Sequence, residues 1–191
     1  MIKETYTYWY WKSLISLQDR KTILNFIEKN YYDFEKEKLY DNRLKNVKDV
    51  KLIKWVSIKS LDVVRTVVDE MIGTNEQIFG YDLFSMKEKN PLYLNNYASS
   101  NKSRYDWHND SSSNINTDVK LTGLINLSTS KYEGGEFEIF NSSTSGNYTV
   151  NEFSEGGDVI LIKSNSYHRV MPVTKGNRKT LTIFFEGPRF R

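Results

Sequence analysis

The chain has two histidines and no cysteine in 191 residues, so any metal it holds must be held by imidazole and carboxylate groups. One histidine lies in "RYDWHND" (104–110), where Asp110 follows His108 by two positions. Residues i and i+2 of a strand point to one face, so this imidazole and carboxylate could both point into the mouth of a barrel. They supply two ligands of a facial triad, the donor set of non-heme iron(II) oxygenases, which needs a second histidine. His168 is the only candidate. Taken alone, it reads better as a structural histidine packed on Tyr167.

Arg178 shifts that balance. It heads "RKTLTIFF", an alternating run that puts Arg178, Thr180 and Thr182 on one face and Lys179, Leu181 and Ile183 on the other. An arginine pointing into an apolar barrel is costly unless an anion meets it. A dicarboxylate would meet it through paired hydrogen bonds that lysine cannot copy, and Thr182 could add its hydroxyl to the same carboxylate. The plainer alternatives are a surface arginine or a structural salt bridge.

These side chains need elements that bring distant stretches together. "TYTYWYW" (5–11) reads as a strand, and "SLQDRKTILNFIEKNYY" (16–32) as a helix opened by Ser16 and Asp19 in a capping-box pattern. Residues 33–50 are charged and irregular, and read as a solvated loop. "KLIKWVSI" (51–58) reads as a strand. "SLDVVRTVVDEMIG" (60–73) reads as a second helix, with Ser60 as N-cap, Gly73 just past the end and an apolar face of Leu61, Val64, Val67, Val68 and Met71. From about residue 78 short β-rich runs follow one another between Gly, Asn and Ser clusters: 78–84, 92–97, 104–110, 120–128, 135–140, 148–153, 158–163, 167–173 and 178–187. The expected fold is α+β, mainly β: a double-stranded β-helix (jelly roll) over 78–191, with N-terminal helices from a region 1–77 packed outside one sheet, in a single domain 1–191.

The bulk properties fit a soluble globular protein. Hydrophobic residues make up 38% and charged ones 27%, with thirteen tyrosines, ten phenylalanines and four tryptophans, an aromatic content that suits half-buried strands. The formal charge of +3 is too mild to indicate nucleic-acid binding. No apolar run approaches the roughly 20 residues of a membrane span, and the charged N-terminus does not read as a signal peptide. A cytoplasmic protein without nucleic-acid or membrane partners is the expectation.

Together, His108, Asp110, His168 and Arg178 resemble the iron(II)/2-oxoglutarate-dependent dioxygenases, specifically their prolyl 4-hydroxylase-like branch. "YLNNYASSNKSRYDWHND" is similar to that family's strand with a tyrosine, a variable turn and Tyr-x-x-His-x-Asp, so Tyr97 and Tyr105 match its two tyrosines. "YEGGEFEIF" (132–140) is similar to its Glu-Gly-Gly segment. "EGGDVILIKSNSYHRVMPVTKGNRKTLTIFFEGP" (155–188) is similar to its closing pattern of glycine turn, strand, distal histidine, Val-x-Pro-Val and Gly-x-Arg. The resemblance covers roughly 50–188.

What it implies is an Fe(II) ion held by His108, Asp110 and His168, with 2-oxoglutarate as cosubstrate, Arg178 on its far carboxylate and ascorbate as a candidate reductant. Such an enzyme consumes O2, releases succinate and CO2, and hydroxylates an unactivated C–H bond of a peptidyl proline or another protein side chain. The alternatives are a free amino acid or small molecule as substrate. Related halogenases replace the carboxylate ligand with a small residue, so Asp110 favours hydroxylation. Two departures bear on the cosubstrate pocket: "ASSNKS" lacks a glycine often found in that turn, and Asn126 stands where some members carry a tyrosine that hydrogen-bonds the cosubstrate. Tyr97 or Thr182 could supply the hydroxyl instead. Tyr105 and Trp107 are the candidates for the substrate side, although Trp107 points away from the ligands and reads better as packing. Residues 111–118 read as a mobile lid or as an ordinary polar hairpin loop. Two rivals remain: a zinc hydrolase using the same three ligands, which leaves Arg178 unexplained, and a non-catalytic jelly-roll binding module, against which the intact ligand set argues.

Overall fold

The computed structural model describes residues 6–33, 48–111, 116–141 and 146–189. In chain order the elements are β1 (Tyr8–Trp11), α1 (Leu17–Asn30), β2 (Tyr32–Asp33), β3 (Asp49–Lys54), α2 (Trp55–Ile58), α3 (Asp62–Thr74), β4 (Pro91–Ala98), β5 (Tyr105–His108), β6 (Thr117–Asn126), β7 (Glu133–Gly134), β8 (Phe137–Asn141), β9 (Gly146–Thr149), β10 (Val159–Lys163), β11 (His168–Val170), β12 (Val173–Lys175) and β13 (Asn177–Pro188). The strands form a seven-stranded sheet in the order β1-β10-β6-β13-β4-β3-β2, a four-stranded sheet β5-β11-β8-β9, and a short β12-β7 pair. All pairings are antiparallel. This is the jelly roll expected from the sequence. The N-terminal region does more than cover it, because β1, β2 and β3 extend the large sheet at both edges.

Alternation along the strands builds two cores. Leu181, Ile183 and Phe185 of β13 face one way, with Leu92 and Leu94 of β4 and Leu121 and Ile125 of β6, and they meet Ile23 and Ile27 of α1 and Val64, Val67, Val68 and Met71 of α3. Each such aliphatic side chain removed from water contributes about 1.5–3 kcal/mol, so this layer fixes the helices against the outside of the large sheet. The opposite face carries Tyr97 of β4, Leu124 of β6, and Ile160 and Ile162 of β10. These pack onto Phe137, Ile139 and Val170 of the small sheet. Arg178, Thr180 and Thr182 share that inner face: Arg178 pairs with Tyr97 across the ladder, and Thr182 pairs with Leu124.

Several local expectations are confirmed and several are corrected. Ser16 caps α1, accepting from the Asp19 amide at 3.1 Å. The second helix begins later than expected. Leu61 holds the N-cap position with no side-chain cap, and Ser60 instead donates to the Ser57 carbonyl. Gly73 lies inside the helix, which runs on as a π-turn over 75–79 and ends at Gly80 with φ 69°. Only a residue without Cβ takes that left-handed φ at no steric cost, so Gly80 is the stop.

"KLIKWVSI" is half strand and half helix, turning at Trp55. The β-rich run 78–84 is not a strand. Asn75 clamps it by donating to the Tyr81 carbonyl and accepting from the Tyr81 amide, and the Phe84 amide donates to the Glu186 carbonyl of β13 at 2.8 Å without building a ladder. Most of the expected loop 33–50, and residues 112–115 of the expected lid, lie outside the described residues. Among the described residues no helix is long and apolar enough to cross a membrane.

Candidate metal centre

His108 ends β5 and His168 begins β11, and the two are directly opposite in that antiparallel pair. A ladder therefore sets side by side two residues that are far apart along the chain, with ring centres 4.2 Å apart. Asp110 lies just beyond β5, where its amide donates to the Ser164 carbonyl at 2.8 Å. That bond ties the residue after one histidine strand to the loop before the other. The result is a cluster in which one donor atom from each of His108, Asp110 and His168 lies within 4.8 Å of the others.

The ring orientations are fixed from behind. His108 Nδ1 is 2.7 Å from the Asp106 carbonyl, and His168 Nδ1 is 2.9 Å from the Ser166 carbonyl. A carbonyl only accepts, so each Nδ1 carries the proton and each Nε2 keeps its lone pair. Both Nε2 atoms face Asp110, at 3.6 Å from Oδ1 for His108 and 3.5 Å from Oδ2 for His168. These gaps are too long for hydrogen bonds. They are close to the spacing of adjacent ligands on an octahedron, about 3 Å for ordinary metal–nitrogen bonds. Thr122, on the inner face of β6, donates to Asp110 Oδ2 at 2.9 Å. Burial above all, then the neighbouring His168, pushes His108 down to about 4, against the opposing pull of Asp110. The imidazole is thus neutral at physiological pH, the form that binds a metal. The three side chains fit a divalent cation.

Arg178 lies deeper on the same inner face, 1% exposed. Its Nε and Nη2 are buried with no hydrogen-bond partner among the described residues. The guanidinium carbon lies 5.5 Å from the centre of the Tyr97 ring and 5.3 Å from that of Phe153. Neither a surface position nor a structural salt bridge describes it. A buried planar cation with free donors calls for a planar anion, which fits the carboxylate of a bound 2-oxo acid. The Glu-Gly-Gly segment explains how the side chain is accommodated. At Gly135 (φ 70°) an added Cβ would lie 3.0 Å from Arg178 Cδ and 2.9 Å from a Val173 methyl.

The remaining candidate residues divide. Tyr97 lines the pocket beside Arg178, and burial pushes its hydroxyl above the usual tyrosine range. Tyr105 packs on His108 with ring centres 3.7 Å apart. A register shift between β5 and β11 pairs Tyr105 with Val170 while His108 pairs with His168. This bulge brings Tyr105 and His108, three positions apart, to one side of the strand.

Trp107 faces outward, under the Arg169 guanidinium at 4.6 Å and against Phe140 at 6.2 Å, where it packs rather than lining the cavity. Thr182 accepts from Asn95 at 2.9 Å. It stands four positions along β13 from Arg178, on the same face. Asn126 has both ends of its amide engaged: it donates to the Tyr132 hydroxyl at 2.9 Å and accepts from the Ser128 amide at 3.1 Å. Sequence reasoning missed Thr122 and the role of Gly135. A threonine within a strand carries no signal until pairing shows what it faces, whereas Gly135 left a trace in its double-glycine motif.

Comparison with known proteins agrees with this geometry. Residues 92–186, which contain all three cluster residues and Arg178, match the 2OG-Fe(II) oxygenase superfamily. A PKHD-type hydroxylase of Idiomarina loihiensis is 30% identical over 134 residues, which cover 69% of this chain and 57% of that protein. The chain thus spans little more than half of that relative's length. Among solved structures, a prolyl-4-hydroxylase of Pseudomonas putida superposes with a TM-score of 0.68 at 13% identity, covering 97% of this chain and 95% of the other. A viral collagen prolyl hydroxylase of Paramecium bursaria Chlorella virus-1, solved with 2-oxoglutarate, gives 0.66 at 13% identity, covering 95% and 97%. At such identities these two structures establish a shared fold. With the matched segment, the ligand cluster and the fold in agreement, this chain belongs to the 2OG-Fe(II) oxygenase superfamily, whose chemistry calls for Fe(II) and 2-oxoglutarate.

Proposed function

We propose that the protein is an Fe(II)- and 2-oxoglutarate-dependent hydroxylase acting on a peptidyl proline or another protein side chain. The observation that carries this reading is that the His108–Asp110–His168 cluster of the small sheet stands against the inner face of the large sheet, which carries the buried Arg178 with Nε and Nη2 unpartnered among the described residues. When bound, the iron and 2-oxo acid supply the oxidising chemistry. The residues of the chain position and shield it. His108, Asp110 and His168 would hold the metal on one side, leaving its other positions free. Their carbonyl-bonded Nδ1 atoms and the Thr122 hydroxyl hold the donors in line before a metal arrives, so little reorganisation is needed. Arg178 would anchor the distal carboxylate of 2-oxoglutarate, and the Tyr97 and Phe153 rings keep water from that ion pair, which strengthens it. Tyr105, stacked on His108, would form the wall nearest an incoming substrate.

The protein-side-chain substrate is suggested by the hydroxylases among the relatives. The zinc-hydrolase alternative gives no use for a buried, unpaired guanidinium, and the binding-module alternative gives none for a preformed ligand set. The deciding experiment is anaerobic addition of Fe(II) and then 2-oxoglutarate. It should produce a weak visible charge-transfer band, and air with a proline-containing peptide should then release succinate with hydroxylated product. Binding of zinc alone, with neither band nor succinate, would refute the reading. Succinate release that responds to free amino acids and not to peptides would reassign the substrate.

A further inference from the structure

Lys48 brings a second cation to this cavity that none of the roles above uses. It immediately precedes β3, the strand beside β4 in the large sheet. Its Nζ lies 3.8 Å from the centre of the Tyr105 ring and 5.9 Å from that of Tyr97. Arg178 approaches the same Tyr97 ring at 5.5 Å, and Tyr105 in turn packs on His108. Two cations therefore converge on one tyrosine beside the metal cluster. Among the described residues the Lys48 ammonium has these ring contacts and no carboxylate or carbonyl partner. Burial pulls the ammonium down to about 8, with Asp110 working against this and Arg178 adding to it.

The charge balance identifies what would relieve this arrangement. Among the described residues, Asp110 is the carboxylate whose charge acts on Lys48, and Arg178 is a second cation acting on it. Arg178 can neutralise one end of a dicarboxylate. The other end would lie toward the metal cluster, on the side where Tyr105 packs on His108. The Lys48 ammonium over the Tyr105 ring is the second cation placed at that end.

We propose that Lys48 is a second cosubstrate-binding residue, meeting the carboxylate of 2-oxoglutarate nearest the metal cluster while Arg178 meets the far one. This rests on the function proposed above. It makes the pocket selective for a dianion held between two cations, and it assigns Lys48, the residue directly before β3, to cosubstrate recognition.

The test is calorimetric binding to anaerobic, Mn(II)-loaded protein, with no turnover involved. Lys48→Met keeps the aliphatic stem against Tyr105 and should weaken 2-oxoglutarate binding about tenfold, the loss of one charge-assisted contact. Lys48→Arg should stay within about threefold of wild type, and Mn(II) affinity should be unchanged in both. A second ligand separates the two ends. With 2-oxovalerate, which lacks the far carboxylate, the penalty of Lys48→Met should persist and that of Arg178→Met should vanish. If Lys48→Met binds 2-oxoglutarate within about twofold of wild type while Arg178→Met is impaired, the Lys48 assignment is wrong and the proposed function stands. If Arg178→Met is also unimpaired, both fall.

Discussion

Replacing Arg178 by Met should make the unliganded protein more stable and the cosubstrate complex weaker. The two nitrogens with no partner among the described residues, Nε and Nη2, each cost about 1–3 kcal/mol as buried unsatisfied donors. The Tyr97 and Phe153 rings return about 0.5–2 kcal/mol each as cation–π partners. Methionine removes both contributions and fills much of the same apolar slot. The balance favours the variant by about 1–3 kcal/mol, a rise of roughly 2–10 °C in Tm for a chain of this size. The same substitution removes a paired, charge-assisted contact worth about 2–3 kcal/mol, so 2-oxoglutarate should bind about 30- to 150-fold more weakly. Thermal unfolding of the apoprotein and anaerobic titration of the Fe(II) form, run side by side, read the two effects. The opposite pattern, a variant that loses several degrees while binding 2-oxoglutarate normally, would show that Arg178 serves the fold and would refute the anion-clamp argument.

Three further outcomes follow from the same geometry. Gly135→Ala places a Cβ against Arg178 Cδ at a positive φ; it should cost about 1–3 kcal/mol in stability and weaken 2-oxoglutarate binding, as denaturant titration and calorimetry would show. Thr122→Val keeps the shape but removes the hydrogen bond to Asp110, and metal affinity should fall about tenfold with the fold intact, measurable by competition with a chelator. His108 titrates near 4 in the folded protein against an ordinary 6.5, so the unfolded chain takes up its proton first as pH falls. Apoprotein stability should therefore be fully present above about pH 6.5 and decline toward pH 4, by up to about 3 kcal/mol from this group. In His108→Phe that part of the decline should disappear from the pH dependence of Tm.

The candidate site was legible in the sequence because its residue types are scarce. With two histidines and no cysteine, His108-x-Asp110 could be completed only by His168, and alternation placed Arg178 on an inner face that the β13–β4 register confirms. The jelly roll and the helical cover were likewise legible, since apolar period and short-strand spacing are local properties. What failed was punctuation. Ser60 and Gly73 carry cap chemistry, but α3 starts two residues after Ser60 and passes through Gly73 because its apolar face stays packed on the large sheet. Residues 78–84 have strand composition, but Asn75 clamps Tyr81 and the run reaches β13 through the Phe84–Glu186 bond without forming a ladder. Thr182 and Asn126 carry the right groups, but Asn95, Tyr132 and Ser128 hold them.

The sequence by itself determined which side chains could bind a metal and an anion, and that strands would carry them. Only the tertiary structure decided that two imidazoles would stand opposite each other across one ladder, that a bulge would turn Tyr105 to the side of His108, and that Lys48 would join Arg178 at the Tyr97 ring. The physical reason is range. Residue type and alternation act within a few positions, whereas register between strands distant in sequence is set by burial of both sheet faces at once, and a one-residue slip would have scattered the site.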